Sequence, residues 1–281
     1  MRKMLKLELE KLLASKLFWL ALLAGIIIGE AQAVNNISWI ERVHEFSRDN
    51  VHPSGLSSIS LLIRWLGYDS YTVLGILFYS VLPLLAAIPF GGSGFREQKS
   101  GYYFQIITRC GRKKYLLAKG AVTFLSGAVT IGLPLLLNLM TNALICPLGS
   151  VPVLSFNSPI QGYFCSTLFY THPVAYMLLE LLLGMVWGGV CALMALAFGS
   201  FLKNRIIIGI APLITMHVLS ILSIEVRSAF GFKALELSPL YLMQSVTLNP
   251  NPAWLVALYV VVFTVILFVV YWKRGMRREG I

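Results

Sequence analysis

The chain has 281 residues, of which 57% are hydrophobic and only 12% are charged, whereas soluble domains are about half apolar and about a quarter charged. Its apolar residues come in runs of about twenty, the length that a helix needs to cross a bilayer. We therefore predict an all-α integral membrane protein, because lipid leaves unpaired backbone groups without a partner. The formal net charge of +11 would indicate nucleic acid in a soluble protein, but its distribution along this chain has another explanation.

The first segment, residues 1–16, is basic and amphipathic. Leu5, Leu9, Leu12 and Leu13 share one helical face, and the charged side chains lie mostly off it. This pattern predicts a helix lying in the headgroup layer, with its cations near anionic lipid. A plain charged leader before a span is the alternative.

Six apolar segments have the length and composition of membrane spans. We predict these spans at residues 17–34, 71–90, 120–145, 173–201, 206–224 and 253–272. The first resembles a signal peptide, since Ala31-Gln32-Ala33 has the pattern of a cleavage site. Glu8 and Glu10 are unusual in a signal sequence, so we expect the segment to be retained.

The basic residues predict the orientation of these spans. An even number of spans places both termini on one side, together with residues 95–119 and 203–205. Eighteen of the 23 Lys and Arg residues then lie on that side, which the positive-inside rule identifies as cytoplasmic. This accounts for the net charge without a nucleic-acid partner. The outer side would hold the connections at residues 35–70, 146–172 and 225–252.

Two cysteines, Cys146 and Cys165, fall in one of the outer connections. An oxidising exterior would allow them to form a disulfide; the alternative is two unrelated loop cysteines. No C-x-x-C pair or His/Cys cluster indicates a metal site. The chain also lacks the P-loop, G-x-S-x-G and H-E-x-x-H motifs, so we do not expect an enzyme.

A few polar side chains fall inside the predicted spans. Glu180 lies about 10 Å below the outer end of the fourth span, and His217 falls near the middle of the fifth. Asn138 and Asn142 lie one turn apart on the third. Buried polar groups are costly in lipid, which makes these four residues candidates for a translocation path. Hydrogen bonds between helices are the alternative role.

The segment 95–119 is the longest basic stretch between two apolar runs. Its seven cations face one acid, Glu97, and aromatic and aliphatic residues lie between the cations. Such a segment cannot cross a bilayer. It is either a short docking element on the inner face or a positive-inside loop that only fixes the topology.

This layout resembles that of the type-2 ATP-binding-cassette exporter permeases. Members of that family often show an acid, a glycine four positions later, a short helix, a turn containing arginine and a small residue, and a lysine opening the third span. Here the corresponding positions are Glu97, Gly101, 102–107, 109–113 and Lys119.

The resemblance implies that residues 97–114 form a coupling helix seated in a groove of a separate ATPase subunit. Aromatic and aliphatic side chains would be its anchors and cations its rim. The docking residues would be Glu97, Gly101, Tyr102, Tyr103, Phe104, Ile107, Arg109, Arg112 and Lys113. The chain departs from the family at Cys110-Gly111, where proline or serine is common.

The resemblance also implies an assembly in a bacterial-type cell membrane. Two permease chains, identical or homologous, would pack chiefly through their first and fifth spans, with two ATPase subunits carrying ATP and magnesium. ATP binding would move the coupling helices as rigid levers. The implied substrate is an amphipathic peptide such as an antimicrobial peptide, a drug or a lipid-like molecule. Two alternatives stay open: a proton-coupled secondary transporter using Glu180 or His217, and a non-transporting scaffold or sensor.

Overall fold

The structure, a computed structural model, is helical and has no strand in the residues that it describes, which are 2–49, 60–69, 72–148, 163–230, 235–244 and 249–277. The long helices are α2 (Lys16–Asp49), α7 (Arg112–Ile145), α9 (Pro173–Phe198), α10 (Arg205–Phe230) and α11 (Ala253–Arg277). The shorter helices are α1 (Arg2–Leu13), α3 (Leu61–Arg64), α4 (Val73–Ala87), α5 (Ser93–Lys99), α6 (Tyr102–Cys110) and α8 (Ser166–Thr171).

Within the described ranges, the five long helices are long and apolar enough to cross a membrane. This confirms the prediction of a multi-pass, all-helical membrane protein. The second predicted span corresponds to α4, which has only 15 residues and is about 22 Å long. A hydrocarbon core is about 30 Å thick, so the count of six spans stays a prediction.

Two helices extend beyond the predicted spans. Helix α2 runs 15 residues beyond the predicted end of the first span, to Asp49, so the connection predicted at 35–70 begins as helix. Residues 112–119, which we assigned to the basic segment, form the first turns of α7. The break before α7 is the single residue Gly111, whose φ of 79° lies in the left-handed region that favours glycine.

Helices α7 and α9 form the centre of the bundle. Their backbones touch at two glycines, because a Cβ on Gly127 would lie 2.2 Å from the carbonyl oxygen of Gly188. Helix α2 also packs closely on α7, here against a side chain, since a Cβ on Gly25 would lie 2.9 Å from the ring of Pro134. Small residues let membrane helices approach this closely and gain van der Waals contact. This contact drives helix association within lipid, where the hydrophobic effect does not act between helices.

The outer helices present apolar side chains away from the bundle. In the most apolar 18-residue stretch of each helix, 22% of α10 and 11% of α11 is buried inside the chain, against 72% of α9. Exposed residues on these faces include Ile214, Ile221 and Val265. A surface of this composition is suited to lipid or to another hydrophobic helix.

Replacing Gly127 with Ala is expected to destabilise the protein by about 1–3 kcal/mol, because the new methyl group would force α7 and α9 apart. Thermal unfolding of the purified protein in detergent measures this effect. Gly120→Ala is the matched control in the same helix, since its Cβ would lie 3.7 Å from the nearest atom, in ordinary contact. Equal unfolding temperatures for the two variants would contradict the close packing.

Candidate functional site

The segments that carry most of the positive charge meet at one end of the bundle, which we call the basic end. Lys11 of α1, Arg96 of α5 and Arg205 of α10 line one pocket there. The C-terminal helix joins them, because Arg112 Nη1 donates a hydrogen bond of 2.7 Å to the carbonyl oxygen of Met276. Segments that are far apart in sequence, and that we predicted on one side of the membrane, are therefore close in space.

Beneath this surface lies a closed ring of four charges, Glu8, Lys11, Glu97 and Lys119, which we call the ion-pair cluster. Lys119 Nζ lies 2.7 Å from Glu8 Oε2 and 2.8 Å from Glu97 Oε1. Lys11 Nζ lies 2.8 Å from Glu8 Oε1 and 2.9 Å from Glu97 Oε1. Each cation thus bridges both carboxylates, and the cluster ties α1 and α5 to α7.

The ion-pair cluster is largely removed from solvent. The side chains of Glu8 and Lys119 are fully buried, and that of Glu97 is 12% exposed. The Tyr115 hydroxyl donates to Glu97 Oε2, and Lys119 Nζ lies 4.4 Å from the centre of the Phe90 ring. Buried charges offset their desolvation only when they are paired and hydrogen-bonded, and these contacts meet that requirement.

Two members of the ion-pair cluster have shifted pKa values. Burial by itself would raise the pKa of the Glu97 carboxyl, but Lys119 and Lys11 outweigh it and the pKa is lowered. Burial would lower the pKa of the Lys11 ammonium, but its contacts with Glu8 and Glu97 leave it raised. Both groups therefore stay charged across the neutral pH range.

This cluster was not predicted from the sequence. Glu8 was considered only as evidence against a signal peptide, although it shares a helical face with Met4 and Leu12, the other buried residues of α1. The available signal was an acidic residue in the middle of a face whose residues are spaced i, i+4 and i+8. A carboxylate buried on such a face requires a buried cation as its partner. Lys119, seven residues into α7, supplies that cation.

The predicted docking segment divides into an inner and an outer set of residues. Glu97 belongs to the ion-pair cluster, and Tyr103 is 2% exposed, with its ring centre 5.3 Å from that of Tyr115. Tyr102 lies half-buried beneath Lys11, whose Nζ is 4.2 Å from the ring centre. The prediction that Tyr103 is an anchor for a partner was wrong, because its ring is used within the chain.

The outer set lies on α6 and the first turn of α7. The Phe104 side chain is 46% exposed, Ile107 is half-buried, and Arg109 and Lys113 are exposed. Gly101 caps the start of α6 with a φ of 73°, which a residue with a side chain rarely adopts. The result is a short helix with an exposed apolar spot bordered by cations.

Asn138 and Asn142 belong to a second polar cluster, at the contact of α2 with α7. Asn138 Nδ2 donates to the Gly29 carbonyl oxygen at 2.7 Å, and Asn142 Oδ1 accepts from Asn36 Nδ2 at 2.7 Å. Gln32 contacts both asparagines through its Oε1, at 3.1 and 3.4 Å. Both asparagines are fully buried, so their contacts fit the alternative role of joining helices.

The other two candidates for a translocation path differ in burial, since Glu180 is buried and His217 is half-buried. Glu180 is 4% exposed on α9, close enough to Tyr79 and Cys165 for electrostatic interaction. His217 Nδ1 lies 2.9 Å from the Leu213 carbonyl oxygen of its own helix. None of the four candidates lines the pocket at the basic end.

The predicted disulfide is not present. Cys146 and Cys165 are both free, the first buried next to the end of α7 and the second half-buried at the start of α8. Both side chains pack on the same apolar core, Cys146 within it and Cys165 at its edge, and the two thiols are not joined. Over the described ranges, no group of three or more His, Cys, Asp or Glu side chains could hold a metal ion.

Comparisons with protein-family models, with curated proteins and with solved structures found no match.

Replacing Lys119 with Met is expected to lower the free energy of unfolding by about 3 kcal/mol, because Glu8 and Glu97 lose their buried partner. Unfolding of the purified protein in mixed micelles measures this change. Lys114→Met is the control, since Lys114 is exposed on the same helix and surface changes usually cost less than about 0.5 kcal/mol. An equal effect of both substitutions would show that the ion-pair cluster has no special weight.

The contribution of Glu97 to stability is expected to depend on pH in a defined direction. Because its pKa is lowered in the folded protein, the contribution is complete above its ordinary value of 4.5 and is lost as the pH falls through the folded pKa. The stability difference between wild type and Glu97→Gln should therefore be constant from neutral pH to about 4.5, then shrink. A difference that grows in acid would contradict this assignment.

Proposed function

We propose that the chain is the transmembrane permease subunit of an ATP-binding-cassette exporter. In this proposal the basic end faces the cytosol, and the exposed part of α6 docks onto a separate ATPase subunit. Both termini are cytoplasmic, with α1 as an interfacial helix and α4 as a sixth, short span in the inner or plasma membrane of a bacterial-type cell. Transport proceeds by alternating access.

The observation that carries the proposal is the attachment of the docking element to the spans. A helix that transmits force from an ATPase must move as one body with a membrane-spanning helix. Glu97 of α5 is held by the buried Lys119 of α7 at 2.8 Å, and α6 packs on α7 through Tyr103 and Tyr115. A loop that only fixes topology requires neither contact.

The outer set of residues supplies a surface suited to a partner. Phe104 and Ile107 are the apolar centre, and Arg109 and Lys113 form a cationic border. Protein interfaces commonly have an aromatic or aliphatic centre and a polar rim. Two ATPase subunits, each binding ATP and magnesium, would engage two permease chains, whose exposed α2 and α10 faces would meet.

The substrate class follows only from the resemblance and from the apolar outer faces. An amphipathic peptide, a drug or a lipid-like molecule would be moved between the two permease chains. The path would be lined by both chains, so the residues buried inside one chain, such as Asn138 and Asn142, act in this proposal as structural contacts.

The rival functions have less support. A proton-coupled transporter requires acidic or imidazole groups that face a water-filled path, whereas His217 bonds to its own helix and Glu180 is buried in the core. A scaffold or sensor requires no rigid attachment of the basic segment to the spans. Both rivals predict transport or signalling without substrate-stimulated ATP hydrolysis.

The double substitution Phe104→Asp and Ile107→Asp is expected to abolish binding of the ATPase, because it places two carboxylates in the apolar centre of the docking surface. The experiment co-expresses the chain with a candidate ATP-binding-cassette ATPase subunit and measures co-purification and ATP hydrolysis. We expect at least a tenfold loss of both, equivalent to about 1.4 kcal/mol.

The control is Tyr170→Asp, at the opposite end of the bundle, where the side chain is 38% exposed. This variant should retain the ATPase. Tyr103 is left intact, because its buried ring would make any substitution a test of folding. Undiminished co-purification with the double variant would refute the docking role.

A further inference from the structure

The basic end contains an open pocket of about 640 Å³ where α1, α2, α5 and α10 meet. Together with Lys119 beneath it, the pocket has five cations against the two carboxylates of Glu8 and Glu97, an excess of three positive charges. The cations on its wall are Lys11, Lys16, Arg96 and Arg205. Both carboxylates are already engaged in the ion-pair cluster, so the excess charge faces the pocket.

Two of these cations are close enough to repel each other. The pKa of the Arg96 guanidinium lies below its ordinary value, first because the group is partly desolvated and second because Arg205 is near. Glu97 offsets this only in part. A bound anion between Arg96 and Arg205 would relieve the repulsion, and guanidinium groups suit the oxygen atoms of a phosphate.

An apolar cavity of about 480 Å³ adjoins the pocket, between α2, α4 and α10. The two share Leu17 and Arg205 as walls, so they form one cleft with a cationic head and an apolar tail. Hydrocarbon side chains such as Ile88 and Ile210 line the tail. Gly209 also lines it, and a Cβ at this position would have no neighbouring atom closer than 3.9 Å, so a larger side chain there would fill the space.

We propose that this cleft binds one anionic phospholipid. The phosphate lies between Arg96, Arg205 and Lys16, and an acyl chain occupies the apolar cavity along α4 and α10. The two volumes fall in the usual range for ligand sites, about 300–1,000 Å³. Basic pockets between membrane-spanning helices are suited to lipid headgroups. This proposal does not require the exporter assembly.

The apolar tail distinguishes a lipid from a water-soluble phosphate. A soluble anion would use the cations alone and leave a hydrophobic cavity of comparable size unfilled beside it. A phospholipid would fill both parts, with its headgroup in the pocket and an acyl chain in the cavity. The two parts meet at Leu17 and Arg205, as the headgroup and the acyl chain are connected in one molecule. The shared walls therefore favour the lipid.

The test measures binding of dioleoyl phosphatidylglycerol to the full-length detergent-solubilised protein by native mass spectrometry. Dioleoyl phosphatidylcholine is the neutral comparison lipid, and glycerol 3-phosphate is the soluble headgroup. We expect phosphatidylglycerol to bind at least tenfold more tightly than either comparison molecule. Arg205→Gln should weaken its binding about fivefold to tenfold.

Two further variants separate the two parts of the cleft. Gly209→Leu fills the apolar cavity and should weaken phosphatidylglycerol binding while leaving the cationic pocket intact. Lys114→Gln removes an exposed cation outside the cleft and should leave binding within twofold of wild type. Thermal unfolding without added lipid checks that each variant is folded.

Several outcomes would overturn the proposal. Equal weakening by Lys114→Gln and Arg205→Gln would mean a diffuse charge effect, and equal binding of glycerol 3-phosphate would mean a site for soluble anions. If Gly209→Leu instead changes the oligomeric state and leaves phosphatidylglycerol binding unchanged, the apolar cavity is covered by a second copy of the chain.

Discussion

The ion-pair cluster is the constraint on which the architecture of the basic end depends. A buried Lys119 without Glu8 and Glu97 would carry a large desolvation cost, so α1 and α5 must both be in place around α7. The four charges alternate in a closed ring. Removing one of them therefore leaves its oppositely charged neighbours with one partner fewer in a largely desolvated site. A cluster of this kind fixes one arrangement of α1, α5 and α7 and disfavours a shift of one helix along another.

Through these contacts the short helices α5 and α6 are attached to α7, which has 34 residues and is long and apolar enough to cross a membrane. The same attachment leaves Phe104 facing outward and places the cations of α1 and α5 in one pocket with Arg205 of α10. The proposed docking surface and the proposed lipid cleft are thus two faces of one packed unit. Both depend on Lys119, although neither contains its side chain at the surface.

Hydrophobic length accounts for how much of the fold was predictable. The spans that became α9, α10 and α11 were placed close to their observed bounds, because about twenty apolar residues have one stable state in lipid. The extension of α2 to Asp49 was not predicted, since polar residues continue a helix when neighbours satisfy them, as Arg64 does by offering its carbonyl oxygen to Asn36. For the candidate site, the sequence singled out residues 95–119 but did not indicate that Glu8 and Lys11 pair with Glu97 and Lys119.

By itself, the sequence determined the membrane class, the approximate position of the long helices and the segregation of positive charge, because these follow from local composition. Only the tertiary structure decided which charges are paired, that Tyr103 faces inward, and that Asn138 and Asn142 join helices. Those roles depend on which residues from distant helices come within about 3 Å of one another. Helix packing sets such distances, and no pattern within a single helix contains them.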